Sequence, residues 1–250
     1  MAAKGTAWWE NIFDDLRPLF DMKSADTMNQ VRFIIKKLDL KPGSKFLDCP
    51  CGIGRISLPL AQRGIRVTGV DITVSYLEEF KKTAERRKLK VDLHHLDMRK
   101  INFKNQFEAA GNLWTSFGYF EKESDDFLVI RKIYQALKPG GRFMLHLINR
   151  DWIITNFSPN DWSRVGKIKI LEERSFDYRT SRSKGIWHFI KDSGESSYEV
   201  TIRVYSYHEL VRMLEKAGFA DIEGYGTTKE EPISRDHRMM FIIGTKPKKR

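Results

Sequence analysis

Cysteine is almost absent from this chain of 250 residues: there are two, Cys49 and Cys51. With one residue between them, a mutual bridge meets poor geometry, so a disulfide framework is not expected. The six histidines form no set with cysteine at zinc-ligand spacing, and no metal site is expected. Long apolar runs are missing as well. No window approaches the ~18 uninterrupted apolar residues of a membrane span. The opening Met1-Ala2-Ala3-Lys4-Gly5-Thr6-Ala7-Trp8-Trp9-Glu10 lacks the apolar stretch of a secretory leader. The expectation is a soluble, cytoplasmic protein without a membrane partner. Internal repeats and low-complexity linkers are also absent.

What is present suffices for one substantial core with appended elements: 41% of residues are apolar and 12% aromatic. Charged residues make up 31%, with a net charge of +11, and two readings compete. A basic surface attracts polyanions such as nucleic acid. A charge-rich surface also serves solubility or heat stability. The second is favoured, because the basic residues are dispersed. The one compact run, Lys246-Pro247-Lys248-Lys249-Arg250, is a terminal tail of the solvated kind.

Along the chain, apolar residues recur at helical spacing over 8–40: Ile12, Phe13, Leu16, Leu19 and Phe20, then, past a break at Pro18, Val31, Phe33, Ile34, Ile35 and Leu38. Strands are predicted at 45–49, 66–71, 91–96, 107–113 and 141–148, and helices at 54–63, 74–88 and 124–137. Lys138-Pro139-Gly140-Gly141 reads as a turn. Alternation with near-continuous apolar strands predicts a parallel sheet covered on both faces. After 150 the pattern changes to alternating strands at 168–178, 186–191 and 197–205. Turn signals stand at Ser183-Lys184-Gly185 and Asp192-Ser193-Gly194. A helix over 206–217 opens on a capping box, Ser206 with Glu209, and ends at Gly218. Strands near 221–226 and 238–245 close the chain. The division expected is a helical cap (1–40), an α/β core (41–150), an antiparallel lid (151–205), and a helix with the last two core strands (206–250).

The chemistry concentrates in Phe46-Leu47-Asp48-Cys49-Pro50-Cys51-Gly52-Ile53-Gly54-Arg55 and Val67-Thr68-Gly69-Val70-Asp71. Strand, glycine turn, helix and a second strand ending in an acid make a nucleotide-type site. A dinucleotide fingerprint wants a further Gly or Ala where this chain has Ser57. Asp48, at the end of the first strand, would repel a pyrophosphate. It suits a ligand carrying an ammonium and a sulfonium. Asp71 is placed to accept hydrogen bonds from ribose hydroxyls; the plainer reading is a cap on the following helix.

Asp48-x-Pro50-Cys51-Gly52-x-Gly54, Gly69-Val70-Asp71, Leu96-Asp97-Met98, Phe107-Glu108-Ala109-Ala110 and Leu137-Lys138-Pro139-Gly140-Gly141-Arg142-Phe143 follow one another in order over roughly 40–150. Together they resemble the class I S-adenosylmethionine-dependent methyltransferases. Thr115-Ser116-Phe117-Gly118-Tyr119-Phe120, Leu147-Ile148-Asn149-Arg150-Asp151-Trp152 and Tyr205-Ser206-Tyr207-His208-Glu209-Leu210 resemble a branch with a small antiparallel insertion, many of whose members act on small molecules. The resemblance implies a Rossmann-like, doubly wound, seven-stranded sheet with an antiparallel last hairpin strand. It also implies S-adenosylmethionine as cofactor and S-adenosylhomocysteine as product. Asp48, Pro50, Gly52 and Gly54 would line the methionine part. Asp71 would bind the ribose, Ile72 would pack on the adenine, Asp97 would accept a hydrogen bond from the adenine amino group and Met98 would sit beside it; for Asp97 the competing reading is a turn residue. Asn112, Leu113 and Trp114 would face the sulfonium and the acceptor. Pro50 departs from the family's glycine and offers no N–H. Arg55 or helix amides would then help hold the methionine carboxylate; otherwise Arg55 is a surface residue.

The implied reaction is methyl transfer to an N or O nucleophile of a small molecule, with an RNA or protein acceptor as the alternative that the net charge raises. Asn112-Leu113-Trp114-Thr115 lacks the Asn/Asp-Pro-Pro-aromatic motif of many enzymes that methylate nucleic-acid amino groups, and no RNA-binding module stands out. Catalytic candidates are His146, Tyr119 and Trp152, with Asn149, His188 and Tyr207 behind them. A histidine inside an apolar strand, such as His146, is more often a core residue. Trp8 and Trp9 are candidates for a cap over the cofactor. A monomer or a homodimer is equally compatible.

Overall fold

The computed structural model describes residues 8–10, 12–21 and 24–248. The side chain of Phe20 and the ends of the chain, 1–7 and 249–250, lie outside the described residues. The helical stretch expected over 8–40 is broken into short pieces. Single 3-10 turns at Trp8–Glu10 and Arg17–Asp21 flank one α-turn, α1 (Phe13–Leu16), and a regular helix follows only at α2 (Ser24–Lys37). Pro18 sits in the second 3-10 turn, where its missing N–H removes no helical ladder bond.

From there strands and helices alternate: β1 (Lys45–Asp48), α3 (Ser57–Gln62), β2 (Arg66–Asp71), α4 (Val74–Arg86), β3 (Val91–His95), β4 (Phe107–Asn112), α5 (Glu123–Ala136), β5 (Leu137–Ile148) and α6 (Arg150–Thr155). An antiparallel meander follows: β6 (Asn160–Val165), β7 (Ile168–Asp177), β8 (Arg182–Lys191) and β9 (Gly194–Arg203). Helix α7 (Tyr207–Ala217), β10 (Ala220–Tyr225) and β11 (Met239–Thr245) end the described chain. The longer helices α4, α5 and α7 turn apolar residues inward. On α4 the buried set is Tyr76, Leu77, Phe80 and Ala84, the spacing of one helical face. The predicted capping box forms on α7, and Gly218 closes that helix at φ 105°, a left-handed position suited to glycine.

The large sheet has seven strands in the order β10-β11-β5-β4-β1-β2-β3. β1 to β5 pair in parallel, and β11 is antiparallel to both of its neighbours. This is the Rossmann-like sheet with an antiparallel hairpin strand that the resemblance implied. The chain leaves β1 in opposite directions toward β2 and β4, so a crevice opens at the carboxyl ends of β1 and β4. The second sheet, β6-β7-β8-β9, lays one face on the N-terminal segment. Ile170, Phe189 and Val200 pack there with Ile12, edged by Trp8, Phe13, Leu16 and Leu19. Among the described residues no helix is long and apolar enough to cross a membrane.

Several local expectations differ from the structure. Helix α3 starts at Ser57 rather than 54, because Gly54 stands at φ 80° in the turn before it. Ser183-Lys184-Gly185 is strand, not turn, and the reversal falls just before it, with Ser181 at φ 51°. Gly185 is explained by packing: a Cβ there would lie 2.5 Å from the Glu173 carbonyl oxygen of the neighbouring strand. Lys138–Gly141 runs within β5, with a bulge in its pairing to β4 and Gly140 at φ 81°. β6 and α6 have no counterpart among the predicted elements.

Candidate cofactor and acceptor site

A cavity of about 720 Å³ lies at the carboxyl ends of β1, β2 and β4 and continues beneath the second sheet. Its floor includes Asp48, Pro50, Gly52, Asp71, Ile72 and Leu113. Trp8, Phe13, Leu16 and Leu19 wall it from the N-terminal segment. Strands β7 to β9 roof it with Ile170, Glu172, Trp187, Val200 and Ile202.

Two carboxylates dominate the floor. Asp48 ends β1 and is 2% exposed. It accepts one hydrogen bond from Ser57 Oγ at 2.6 Å. Burial pushes its carboxyl up to about 7, aided by the Asp71 charge and opposed by Ser57 and Arg55. Asp71 ends β2, and burial raises its carboxyl too. Its Oδ2 accepts the Gly52 N–H at 2.7 Å and its Oδ1 the Thr73 N–H at 2.9 Å. Asp71 thus fastens the glycine turn to the end of β2. Gly52 meets this at φ 54°. The Cys49–Pro50 peptide is cis, and both cysteines are buried free thiols.

Asp97 and Met98 line the cavity beyond β3. Asp97 caps the short turn Met98–Lys100 through the Arg99 N–H at 2.8 Å and pairs with the Arg99 guanidinium at 2.6 Å. Its carboxyl is held below the ordinary range: burial acts against this, and the Arg99 hydrogen bonds outweigh it. Asp97 is thus a turn residue that also lines the cavity. Arg55 is no free surface residue. Nη1 donates to Thr27 Oγ1 at 2.8 Å, Nη2 donates to Gln30 Oε1 at 2.9 Å, and the guanidinium lies 4.2 Å from the centre of the Trp114 ring. Trp114 and Thr115 both hold left-handed backbone, φ 63° and 59°, at a cost on the order of 1 kcal/mol or more each. The Arg55 contact and the Thr115 N–H bond to His146 O, 2.9 Å, hold that bend.

Two expected cofactor residues are set back from the wall. Asn112 is 1% exposed, and its Nδ2 donates to Cys49 O at 3.0 Å and Ser116 O at 3.2 Å. Its amide ties the ends of β1 and β4 together, and the side chain does not line the cavity. Gly54 is packed under Phe80, whose ring would stand 2.6 Å from a Cβ there. His146 is a correction of the same kind. It is 4% exposed and stacks on Phe241 with ring centres 4.0 Å apart, and burial pushes it down to about 3. It lines no part of the cavity and packs as a core residue, the reading favoured for a histidine inside an apolar strand. Asn149 caps α6, and its Nδ2 donates to Ser234 O at 2.8 Å and His237 O at 3.0 Å. His188 is on the face of β8 opposite the cavity-lining Trp187, and Tyr207 packs over Gly224. Tyr119 and Trp152 do line the cavity. Burial raises the Tyr119 hydroxyl, which disfavours its use as a base.

The roof residues Glu172, Arg174, Trp187 and Asp161 were not singled out from sequence. Their signal was the alternation along β7 and β8, which shows a sheet face but not what that face covers.

The strand order, the crevice at β1 and β4 and the two terminal acids define a Rossmann-like protein that binds a nucleoside ligand. Residues 46–141 match the family described as Methyltransferase domain. A ubiquinone biosynthesis O-methyltransferase of Coxiella burnetii is 30% identical over 176 residues, 68% of each chain. An S-adenosyl-L-methionine-dependent Diels-Alderase of Talaromyces variabilis is 31% identical over 120 residues, which span 45% of this chain and 39% of that protein. Among solved structures, an S-adenosylmethionine-dependent methyltransferase from Clostridium acetobutylicum superposes with a TM-score of 0.81 at 16% identity, covering 95% of this chain and 100% of that one. The chain belongs to the S-adenosylmethionine-dependent methyltransferase family.

Proposed function

We propose that this protein transfers a methyl group from S-adenosylmethionine to an N or O nucleophile of a small molecule, releasing S-adenosylhomocysteine. It does so in the cytoplasm, as a monomer or homodimer. The observation that carries this reading is one cavity with two unlike halves, an acid-bearing floor and an aromatic roof. The floor fits the cofactor chemically. Burial raises the proton affinity of both carboxylates, the Asp71 charge adds to it at Asp48, and a ligand cation beside them relieves that cost. In this reading Asp48 holds the ammonium and Asp71 the ribose hydroxyls, Ile72 and Met98 flank the adenine beside Asp97, and Leu113 faces the sulfonium and the acceptor. Arg55 and the amides of the glycine turn hold the carboxylate in place of a donor at Pro50.

When bound, the cofactor supplies an electrophilic methyl group on a good leaving group. The protein's own residues then align the acceptor and keep water out. Trp8 and Phe13 close one side, and Trp152 and Tyr119 close another. No histidine or lysine lines the cavity among the described residues. A nucleophile that arrives unprotonated, or sheds its proton to water after transfer, needs no base. The N-terminal segment acts as cap and the second sheet as lid on the core.

The test is turnover. Purified protein with S-adenosylmethionine and a metabolite extract should form S-adenosylhomocysteine and methylate only the low-molecular-weight fraction. Methyl transfer to RNA or protein would favour the basic surface as a macromolecular platform. Cofactor binding without transfer to any fraction would contradict methyl transfer altogether.

A further inference from the structure

We infer that the acceptor half of this cavity recognises its ligand by a protonated amine carried on an aromatic or alkyl body, with Glu172 as the specificity-determining residue; the ammonium is a binding handle, and its nitrogen could take a methyl only after releasing a proton to water. The inference rests on the methyltransferase reading of the cavity. Glu172 points from β7 into the roof, between Ile170 and Arg174 on the same face. Its side chain is 14% exposed. Both contacts from Arg174, Nε at 2.9 Å and Nη2 at 2.7 Å, go to Oε2. Oε1 has no protein donor among the described residues, so one carboxylate oxygen is left to the cavity. The same Arg174 Nη2 lies 3.1 Å from Asp161 Oδ2, directly across the strand pair from Glu172 and at the more exposed rim. Arg174 therefore neutralises one of two acids and fixes both, and the pair keeps a net negative charge.

The surroundings give that charge its meaning. Trp187 is the cross-strand neighbour of Glu172 on β8, and Trp152 and Trp8 stand on other walls. Arg238, the other cation on this half, lies over the Trp152 ring at 5.4 Å. A partly buried ion pair in an apolar roof costs desolvation that Ile or Val would avoid. A carboxylate oxygen among indole rings selects a cation, by a charge-assisted hydrogen bond and by attraction to the ring faces. An alcohol of the same shape gains much less.

The experiment uses the full chain saturated with S-adenosylhomocysteine and titrates matched pairs by calorimetry: benzylamine with benzyl alcohol, tyramine with tyrosol, and tryptamine with tryptophol. At least one amine should bind about tenfold tighter than its alcohol. Glu172→Gln should abolish that preference while leaving S-adenosylhomocysteine affinity within about twofold. Glu173→Gln, which removes the same charge from the opposite, exposed face of β7, should leave the preference intact. Equal binding of amines and alcohols, no binding of any member, or a preference that survives Glu172→Gln would overturn the inference. Failure of the wild type to bind S-adenosylhomocysteine would overturn the cofactor reading, and this inference with it.

Discussion

At the scale of single residues, burial turns ordinary side chains into instruments. Asp48 carries its carboxyl near 7 because it is buried beside Asp71. In the proposed role it must be ionised to hold an ammonium. A raised value in the free protein means that a proton occupies it below about pH 7. S-adenosylmethionine affinity should therefore fall as pH drops through about 7, with proton release on binding at lower pH; calorimetry in buffers of different ionisation enthalpy reads both. An affinity flat from pH 8 to 5 would contradict the role. His146 shows the opposite sign. Its folded value near 3 lies below the unfolded value of about 6.5, so the unfolded chain binds a proton that the folded chain refuses. Stability from this residue is complete above pH 6.5 and is lost as pH falls toward 3. His146→Phe should flatten that acid limb in thermal melts from pH 7 to 4 and leave kcat within about twofold. A large loss of kcat with an intact fold would restore His146 as a catalytic residue.

At the scale of elements, the N-terminal segment is stitched to both parts it touches. Toward the core, Arg17 pairs with Glu79, Ser75 donates to Asp14 and Tyr76 donates to the Phe13 carbonyl. Toward the lid, Asp15 accepts from Lys191, Ser196 and Tyr198. Asp15→Ala removes the acceptor common to three donors, a partly solvent-screened network with a net contribution of about 1.5 kcal/mol. Hydrogen exchange should then speed by on the order of tenfold in 12–19 and in the β8–β9 hairpin, with the core sheet unchanged. Unchanged exchange would mean that apolar packing at Ile12 alone holds the roof. The elements differ in how far they were legible. Core strands such as Arg66–Asp71, the capping box at Ser206 and the acids at Asp48 and Asp71 were readable, because apolar runs, caps and strand-end acids are local signals. Gly185 misled, because its glycine answers a neighbouring backbone and not a turn. His146, Asn112 and Glu172 could not be sorted into core and cavity, because strand alternation names two faces without saying which one covers a ligand.

At the scale of the molecule, the floor and the roof of the cavity come from distant parts of the chain, and both are needed to enclose it. β9 is fixed there through Arg203, whose N–H donates to Gly118 O at 2.7 Å and whose guanidinium pairs with Glu123 and Glu209. Gly118 has no room for a Cβ, which would fall 2.0 Å from the Arg203 carbonyl oxygen. The net charge of +11 lies outside this account: much of the basic surface is matched by acids, as at Lys37 with Glu230 and Arg99 with Asp125. The central claim is that the acid-bearing floor binds S-adenosylmethionine, and calorimetric titration of wild type and Asp71→Ala tests it most directly. The wild type should bind, and the variant should lose at least about thirtyfold in affinity while keeping a cooperative thermal transition. An unchanged dissociation constant in a folded Asp71→Ala variant would contradict the account.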